Sequence, residues 1–85
     1  MQIFIHPRFD KNYRKLNHSL RTKAKEREAI FIANRFTPSL ETHKLHGKDR
    51  DYWAYSINNK YRIKFLFLDN GDILYLDVDT HDEVY

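Results

Sequence analysis

Two of the five histidines in this 85-residue sequence lie close together, at His43 and His46. Imidazole is the side chain whose ordinary pKa, about 6.5, suits proton transfer near neutral pH. Lys44 and Lys48 stand beside the pair and attract phosphate. The segment therefore predicts acid–base chemistry on a phosphate ester. The alternative is an exposed polar loop whose side chains carry no function.

Arg62 and His81 form a second group of candidate residues. Arg62 falls inside a predicted strand, where a guanidinium can hold a phosphate through two hydrogen bonds and stabilise a pentavalent phosphorane. The alternative for Arg62 is a cross-strand ion pair with Asp77 or Asp79. His81 follows the last predicted strand beside two acids and can act as a general acid, while Tyr85 offers a ring that can stack on a base.

The sequence argues against a metal or a cofactor. His43, His46 and His81 could supply three nitrogen ligands, but their spacing matches no metal-binding motif and cysteine is absent. There is no glycine-rich phosphate loop and no nucleophilic serine or cysteine motif. We therefore expect any catalysis to use side chains alone.

Positive charge is concentrated in the first three quarters of the chain. All fifteen Lys and Arg lie in residues 1–64 with six of the twelve acids, giving +9, whereas residues 65–85 carry −6. This asymmetry suggests a surface that meets a polyanion, with a merely solvated basic surface as the alternative. Because cysteine and any apolar run of membrane-spanning length are absent, we expect a soluble, cytoplasmic protein.

The elements that position these groups follow from the spacing of apolar residues. Alternation covers residues 2–6, and helical spacing begins at Pro7, which suits the first turn of a helix. Ser19 can cap a second helix that runs to about Phe36, where a Thr-Pro step ends it. Residues 40–51 are polar and predict a loop. Three strands follow over residues 52–57, 61–68 and 73–78, the last two joined by an Asn-Gly hairpin turn.

The order β-α-α-β-β-β predicts a single α+β domain over residues 1–85, with a helix hairpin packed on one face of an antiparallel sheet. In the middle of the three later strands, apolar residues alternate with Arg62 and Lys64. The apolar set should face the helices, so the basic pair should line the open face. The apolar set is Ile63, Phe65 and Phe67. His6 and His18 flank the first helix, and we assign neither a catalytic role.

Four segments of the sequence resemble the RelE/ParE superfamily of toxins from toxin–antitoxin systems, and its YafQ-like branch in particular. They are residues 40–47, Trp53 with Ile57, residues 61–63 and residues 80–85. The resemblance extends over nearly the whole chain, although residues 8–36 match only in their helical pattern. The β-α-α-β-β-β order is also the fold of that superfamily.

The resemblance implies an endoribonuclease that cleaves mRNA in the ribosomal A site without a metal and is held inactive by a cognate antitoxin. Such enzymes activate the ribose 2′-OH, stabilise the phosphorane and protonate the 5′-oxygen. By position, His81 matches the tail histidine that these toxins are expected to use in acid–base catalysis. His43 matches their loop histidine, and Arg62 matches their strand arginine. We add His46 to this catalytic set. The expected RNA-binding residues are Lys44, Lys48, Arg50, Lys60, Lys64 and Tyr85.

The chain departs from the YafQ-like pattern at three positions. Asp77 stands where the branch commonly has an arginine, Ser56 where a second histidine can occur, and Asp79 where glycine is usual. The added acids weaken phosphate binding locally, for which His46 and its neighbouring lysines can compensate. Two alternatives to the nuclease stay open: a ParE-like inhibitor of DNA gyrase, and a degenerate toxin that serves as an antitoxin-binding module. The antitoxin is expected on the open sheet face and around the helix pair.

Overall fold

A computed structural model describes residues 1–49 and 51–80 of the chain. Short 3₁₀ turns lie at Pro38–Leu40 and Gly47–Asp49. The helices and strands, in chain order, are β1 (Ile3–Ile5), α1 (Pro7–Arg14), α2 (His18–Ala33), β2 (His43–Lys44), β3 (Trp53–Ser56), β4 (Tyr61–Phe67) and β5 (Ile73–Thr80). Neither α1 nor α2 has the length and apolar character needed to cross a membrane, and no other helix in the described ranges does.

The two helices begin at side-chain caps. Pro7 occupies the first turn of α1 as predicted, and His6 caps the helix by accepting a hydrogen bond from the backbone N–H of Arg8. The cap of α2 is Asn17, whose side chain accepts from the N–H of Leu20 at 2.8 Å, so the prediction of Ser19 was wrong by two residues.

The second helix also ends earlier than predicted. It stops at Ala33 rather than near Phe36, because the backbone of Asn34 is extended (φ −158°, ψ 103°). The Asn34 side chain then accepts a hydrogen bond from the N–H of Phe36 at 3.1 Å. An Asn that bonds to a nearby backbone N–H in this way competes with helix continuation.

The sheet has five strands in the order β1-β5-β4-β3-β2. The predicted α+β class, with both helices on one face, is confirmed. The sheet is mixed rather than wholly antiparallel, because β1 pairs in parallel with β5 and places Ile3 opposite Ile73. A short strand, His43–Lys44, lies inside the segment predicted as a loop and pairs with β3. The predicted hairpin turn joins β4 to β5, with Gly71 at φ +87°.

Aromatic rings fill the space between the helices and the sheet. Phe31 of α2 stacks on Tyr55 with centroids 4.5 Å apart and meets Phe65 edge-on at 5.1 Å. Phe9 of α1 lies 5.0 Å from Tyr75. The hydroxyl groups of Tyr55 and Tyr75 are hydrogen-bonded at 2.8 Å inside this core. Burial, together with the neighbouring phenol in the case of Tyr75, raises the pKa of both tyrosines far above its ordinary value.

Arg27 connects the second helix to the far side of the fold. Its Nε donates to the carbonyl of Ser56 at 3.2 Å, and its Nη2 donates to the carbonyl of Ser39. These bonds satisfy carbonyls at the end of β3 and in the turn before β2. They therefore fix the position of the segment that carries the candidate histidines.

Candidate active site

The sheet face opposite the helices carries a row of polar residues. The strand register pairs His43 with Ala54, Ala54 with Lys64, and Lys64 with Asp77. Paired residues of antiparallel strands project from the same face, so one row presents an imidazole, an ammonium and a carboxylate. Adjacent strands lie about 4.8 Å apart, which puts the Cα atoms of His43 and Lys64 roughly 10 Å apart. Lys64 lies on the open face, as its place in the strand alternation predicted, and its side chain is half-buried there.

His43 is held in a geometry that suits a general base. Its Nδ1 lies 2.7 Å from the backbone carbonyl of Glu41. A carbonyl oxygen only accepts, so Nδ1 carries the proton of that bond and the neutral ring keeps a lone pair on Nε2. Glu41 itself adopts a left-handed conformation, with φ 52° and ψ 39°. This conformation is unfavourable for a side chain other than Gly, Asn or Asp, and here it aims the carbonyl at the imidazole.

The other predicted residues of this segment do not share one surface. Lys44 is paired with Trp53, so it belongs to the row that projects from the opposite face to His43. His46 and Lys48 are exposed in the turn between β2 and β3. The structure therefore places His43 on the open face without Lys44. The catalytic role of His46 and the RNA-binding roles of the two lysines stay predictions.

Arg62 is buried, with 8% of its surface exposed. Its Nη1 donates to the carbonyls of Asn58 and Tyr61 at 2.6 and 3.2 Å, which fastens the turn between β3 and β4. The buried Nε has no hydrogen-bond partner within residues 1–49 and 51–80. Over the same residues, no ion pair links Arg62 to Asp77 or Asp79. The guanidinium therefore supports the turn in this structure, and its expected catalytic role stays a prediction.

Lys60 lies in that same turn. Its Nζ is 5.9 Å from the centre of the Tyr61 ring, within the range of a cation–π contact. The residue is exposed and can meet a solvent-borne ligand, as an RNA-binding residue must.

A cavity of about 230 Å³ lies beside Lys64 and extends to β5 and the start of α1. Lys64 holds its Nζ 4.8 Å from the centre of the Tyr52 ring, and Tyr52 packs in turn against Leu45 and Ala54. Sequence reasoning did not place His6 and Arg8 here, since they lie far from the other residues in the chain. The parallel pairing of β1 with β5 brings them to this face. The lining residues are His6, Arg8, Tyr52, Lys64, Leu76 and Asp77.

Asp77, the departure from the family pattern, has a structural role. Its Oδ1 accepts a hydrogen bond from the side-chain amide of Asn12 at 2.6 Å and another from the N–H of Val78 at 2.8 Å. Both donors meet the same carboxylate oxygen, one from α1 and the other from the backbone of β5. Asp77 thereby joins the first helix to the sheet beside the cavity.

Three of the predicted residues lie outside the described part of the chain: Arg50, His81 and Tyr85. Their roles in RNA binding, acid–base catalysis and base stacking stay predictions. In residues 1–49 and 51–80, no three His, Asp or Glu side chains converge in a way that could hold a metal ion.

Comparison with known proteins gives matches in structure but not in sequence. No protein-family model matches the chain, and no curated protein sequence matches it. YafQ from E. coli strain BL21(DE3) superposes with a TM-score of 0.81 at 14% identity, over 99% of this chain and 97% of YafQ. A YoeB/ParE toxin from Agrobacterium tumefaciens gives 0.79 at 13% identity, over 95% and 99%.

An archaeal RelE, solved as a RelE–RelB complex from Pyrococcus horikoshii OT3, superposes with a TM-score of 0.73 at 17% identity, over 93% of this chain and 92% of that one. Another matching structure is the E. coli DinJ–YafQ toxin–antitoxin complex. The chain therefore has the fold of the RelE/ParE toxins. The expectation of a YafQ-like fold, drawn from the motifs in residues 40–85, is confirmed.

Proposed function

We propose that this protein is the toxin of a type II toxin–antitoxin pair and acts as a metal-independent endoribonuclease that cleaves mRNA on the ribosome. The observation that carries the proposal is the position of His43, which lies on the open face of a RelE/ParE fold with its Nδ1 2.7 Å from the carbonyl of Glu41. Lys64 in the same row supplies positive charge for RNA. Action on ribosomes places the protein in the cytoplasm.

The chemistry needs no group from outside the protein. His43 Nε2 takes the proton of the ribose 2′-OH as the 2′-oxygen attacks the neighbouring phosphorus. The bond from phosphorus to the 5′-oxygen then breaks, and that oxygen takes a proton from an acid, the role expected for His81. The products are a 2′,3′-cyclic phosphate and a free 5′-OH. Cations beside the phosphate lower the barrier because charge builds on its oxygens during attack.

An antitoxin partner fits the charge of the chain. Residues 1–64 carry +9, and an extended acidic or amphipathic segment would bind such a surface. The DinJ–YafQ complex shows that one protein of this fold is bound by an antitoxin. Occupation of the open face by such a segment would block His43 and silence the nuclease.

The test is controlled expression in bacteria, with growth and cut sites on translated mRNA as the two measurements. The wild type should arrest growth and cut mRNA, whereas His43→Ala and His81→Ala should each lose about 10²–10⁴-fold in cleavage, the usual contribution of an acid–base group. His18→Ala is the matched control, because His18 is exposed at the start of α2 and lies away from the open face.

Equal cleavage by the wild type and His43→Ala would refute the assigned base. Growth arrest without mRNA cleavage would refute the nuclease, and a DNA supercoiling assay would then test the gyrase alternative. Arg62 is best tested as Arg62→Lys with its unfolding midpoint measured in parallel, because truncation to Ala would also loosen the turn at Asn58.

A further inference from the structure

The cavity beside Lys64 collects positive charge from two separate parts of the chain. Arg8 comes from the first turn of α1 and Lys64 from β4, and they face one acid, Asp77, one of whose oxygens is already engaged by Asn12. The volume of about 230 Å³ lies below the 300 to 1,000 Å³ typical of small-molecule sites. The cavity therefore suits one charged group of a polymer better than a free cofactor.

His6 adds a hydrogen-bond donor of fixed orientation to this cavity. Its Nδ1 accepts the backbone N–H of Arg8 at 3.0 Å, so the neutral ring carries its proton on Nε2. The proton is therefore on the other ring nitrogen from the one that carries it in His43, where Nδ1 is the donor. A ring held in this way can donate to an anion through Nε2, but it has no lone pair there with which to act as a base.

We propose that this cavity is a phosphate-binding subsite for single-stranded RNA, in which His6 Nε2, Arg8 and Lys64 donate hydrogen bonds to the oxygens of one phosphate. The identity of the polymer rests on the proposed function. Most of the lining, including His6 and Arg8, lies on the β5 side of Lys64, whereas His43 lies beyond β3. The subsite therefore holds a phosphate next to the one that is cut. His6 binds RNA and takes no part in proton transfer.

The subsite can be tested by fluorescence anisotropy with the full-length protein and a labelled RNA oligonucleotide whose 2′-OH groups are methylated, which prevents cleavage. Arg8→Ala and Lys64→Ala should each weaken binding and lower the slope of log affinity against log salt, by at most about 0.7, the value for one phosphate, because both cations contact the same phosphate. Lys15→Ala removes the same charge from the other end of α1, outside the cavity, and should leave that slope nearly unchanged.

His6→Ser separates phosphate binding from helix capping. A Ser hydroxyl can accept the N–H of Arg8 and preserve the cap, but it lacks the Nε2 donor. We expect this variant to unfold at the wild-type midpoint and to bind the methylated RNA about tenfold more weakly, the effect of one hydrogen bond to a charged group.

Several outcomes would overturn the subsite. The first is an equal salt slope for Arg8→Ala and Lys15→Ala, and the second is wild-type affinity in His6→Ser. The third is competition by oligoglutamate that is as strong as competition by unlabelled RNA at matched charge. That result would indicate a carboxylate-bearing protein partner. These results are independent of the cleavage assay. A protein that binds methylated RNA through the cavity but cuts no mRNA would refute the nuclease and leave the subsite standing.

Discussion

The buried tyrosine pair makes a sharp prediction about stability. Tyr55 is fully buried and Tyr75 is 3% exposed, and their hydroxyls are 2.8 Å apart. Tyr75→Phe leaves the Tyr55 hydroxyl in the core without this partner, which should cost about 1–3 kcal/mol of unfolding free energy. Tyr55→Phe should cost less, about 0.5–1.5 kcal/mol, because Tyr75 also interacts with Glu28.

The double substitution removes both hydroxyls and leaves neither of them unpaired. Its cost should therefore fall below the sum of the two single costs, with a coupling energy of about 1 kcal/mol. Urea denaturation followed by circular dichroism gives the unfolding free energy of the wild type, the two single variants and the double variant. In thermal unfolding, each kcal/mol lost should lower the midpoint by about 4–8 °C in a domain of this size. Tyr61→Phe, on the same sheet but outside the buried pair, is the control. Strictly additive costs, or a Tyr75→Phe variant as stable as the wild type, would refute the reasoning.

The tyrosine pair also makes stability depend on pH, and the Asn17 cap and the Glu41 backbone determine how two further positions tolerate substitution. Because burial raises the pKa of both paired tyrosines above the ordinary value of 10.0, their contribution is intact below pH 10 and is lost as the pH rises further, at about 1.4 kcal/mol per pH unit for each tyrosine. The Tyr55→Phe/Tyr75→Phe double variant should therefore lose less unfolding free energy than the wild type between pH 9 and pH 11, and an equal loss would contradict this. Asn17→Ala should cost about 1 kcal/mol in urea denaturation and Asn17→Ser much less, since Ser also caps helices; equal costs would show that the cap bond contributes little. At Glu41, where φ is 52°, substitution by Val should cost about 1–2 kcal/mol while Asn should be tolerated, and indistinguishable melting curves would argue against strain at this position.

The parts of the fold with strong local signals could be predicted from the sequence. Pro7 began α1, alternation gave β3 to β5, and the Asn-Gly step gave the hairpin, since each depends on residues a few positions apart. The start of α2 was misplaced because Asn17 and Ser19 are both good caps two positions apart. The strand β2 has only two residues, so it has no pattern of its own and exists through pairing with β3.

The candidate site was predicted less completely, because tertiary contacts decide it. Alternation correctly put Lys64 on the open face, but it could not show that the guanidinium of Arg62 turns towards the carbonyl of Asn58. Without β2, Lys44 and His43 looked like one cluster, whereas strand pairing sends them to opposite faces. His6 and Arg8 reach the cavity through contacts with residues about 70 positions away, for which a sequence carries no local signal.

The parallel pairing of the first and last strands has a consequence for synthesis. Ile3 meets Ile73, so β1 can find its partner only after 70 further residues have been translated. At about 5–20 residues per second, this interval lasts roughly 4–14 s. The cavity needs the junction of β1 and α1 beside β5, and it is therefore among the last features of the protein to form. A chain whose translation stops before β5 would contain His43 and Lys64 but would lack the finished cavity.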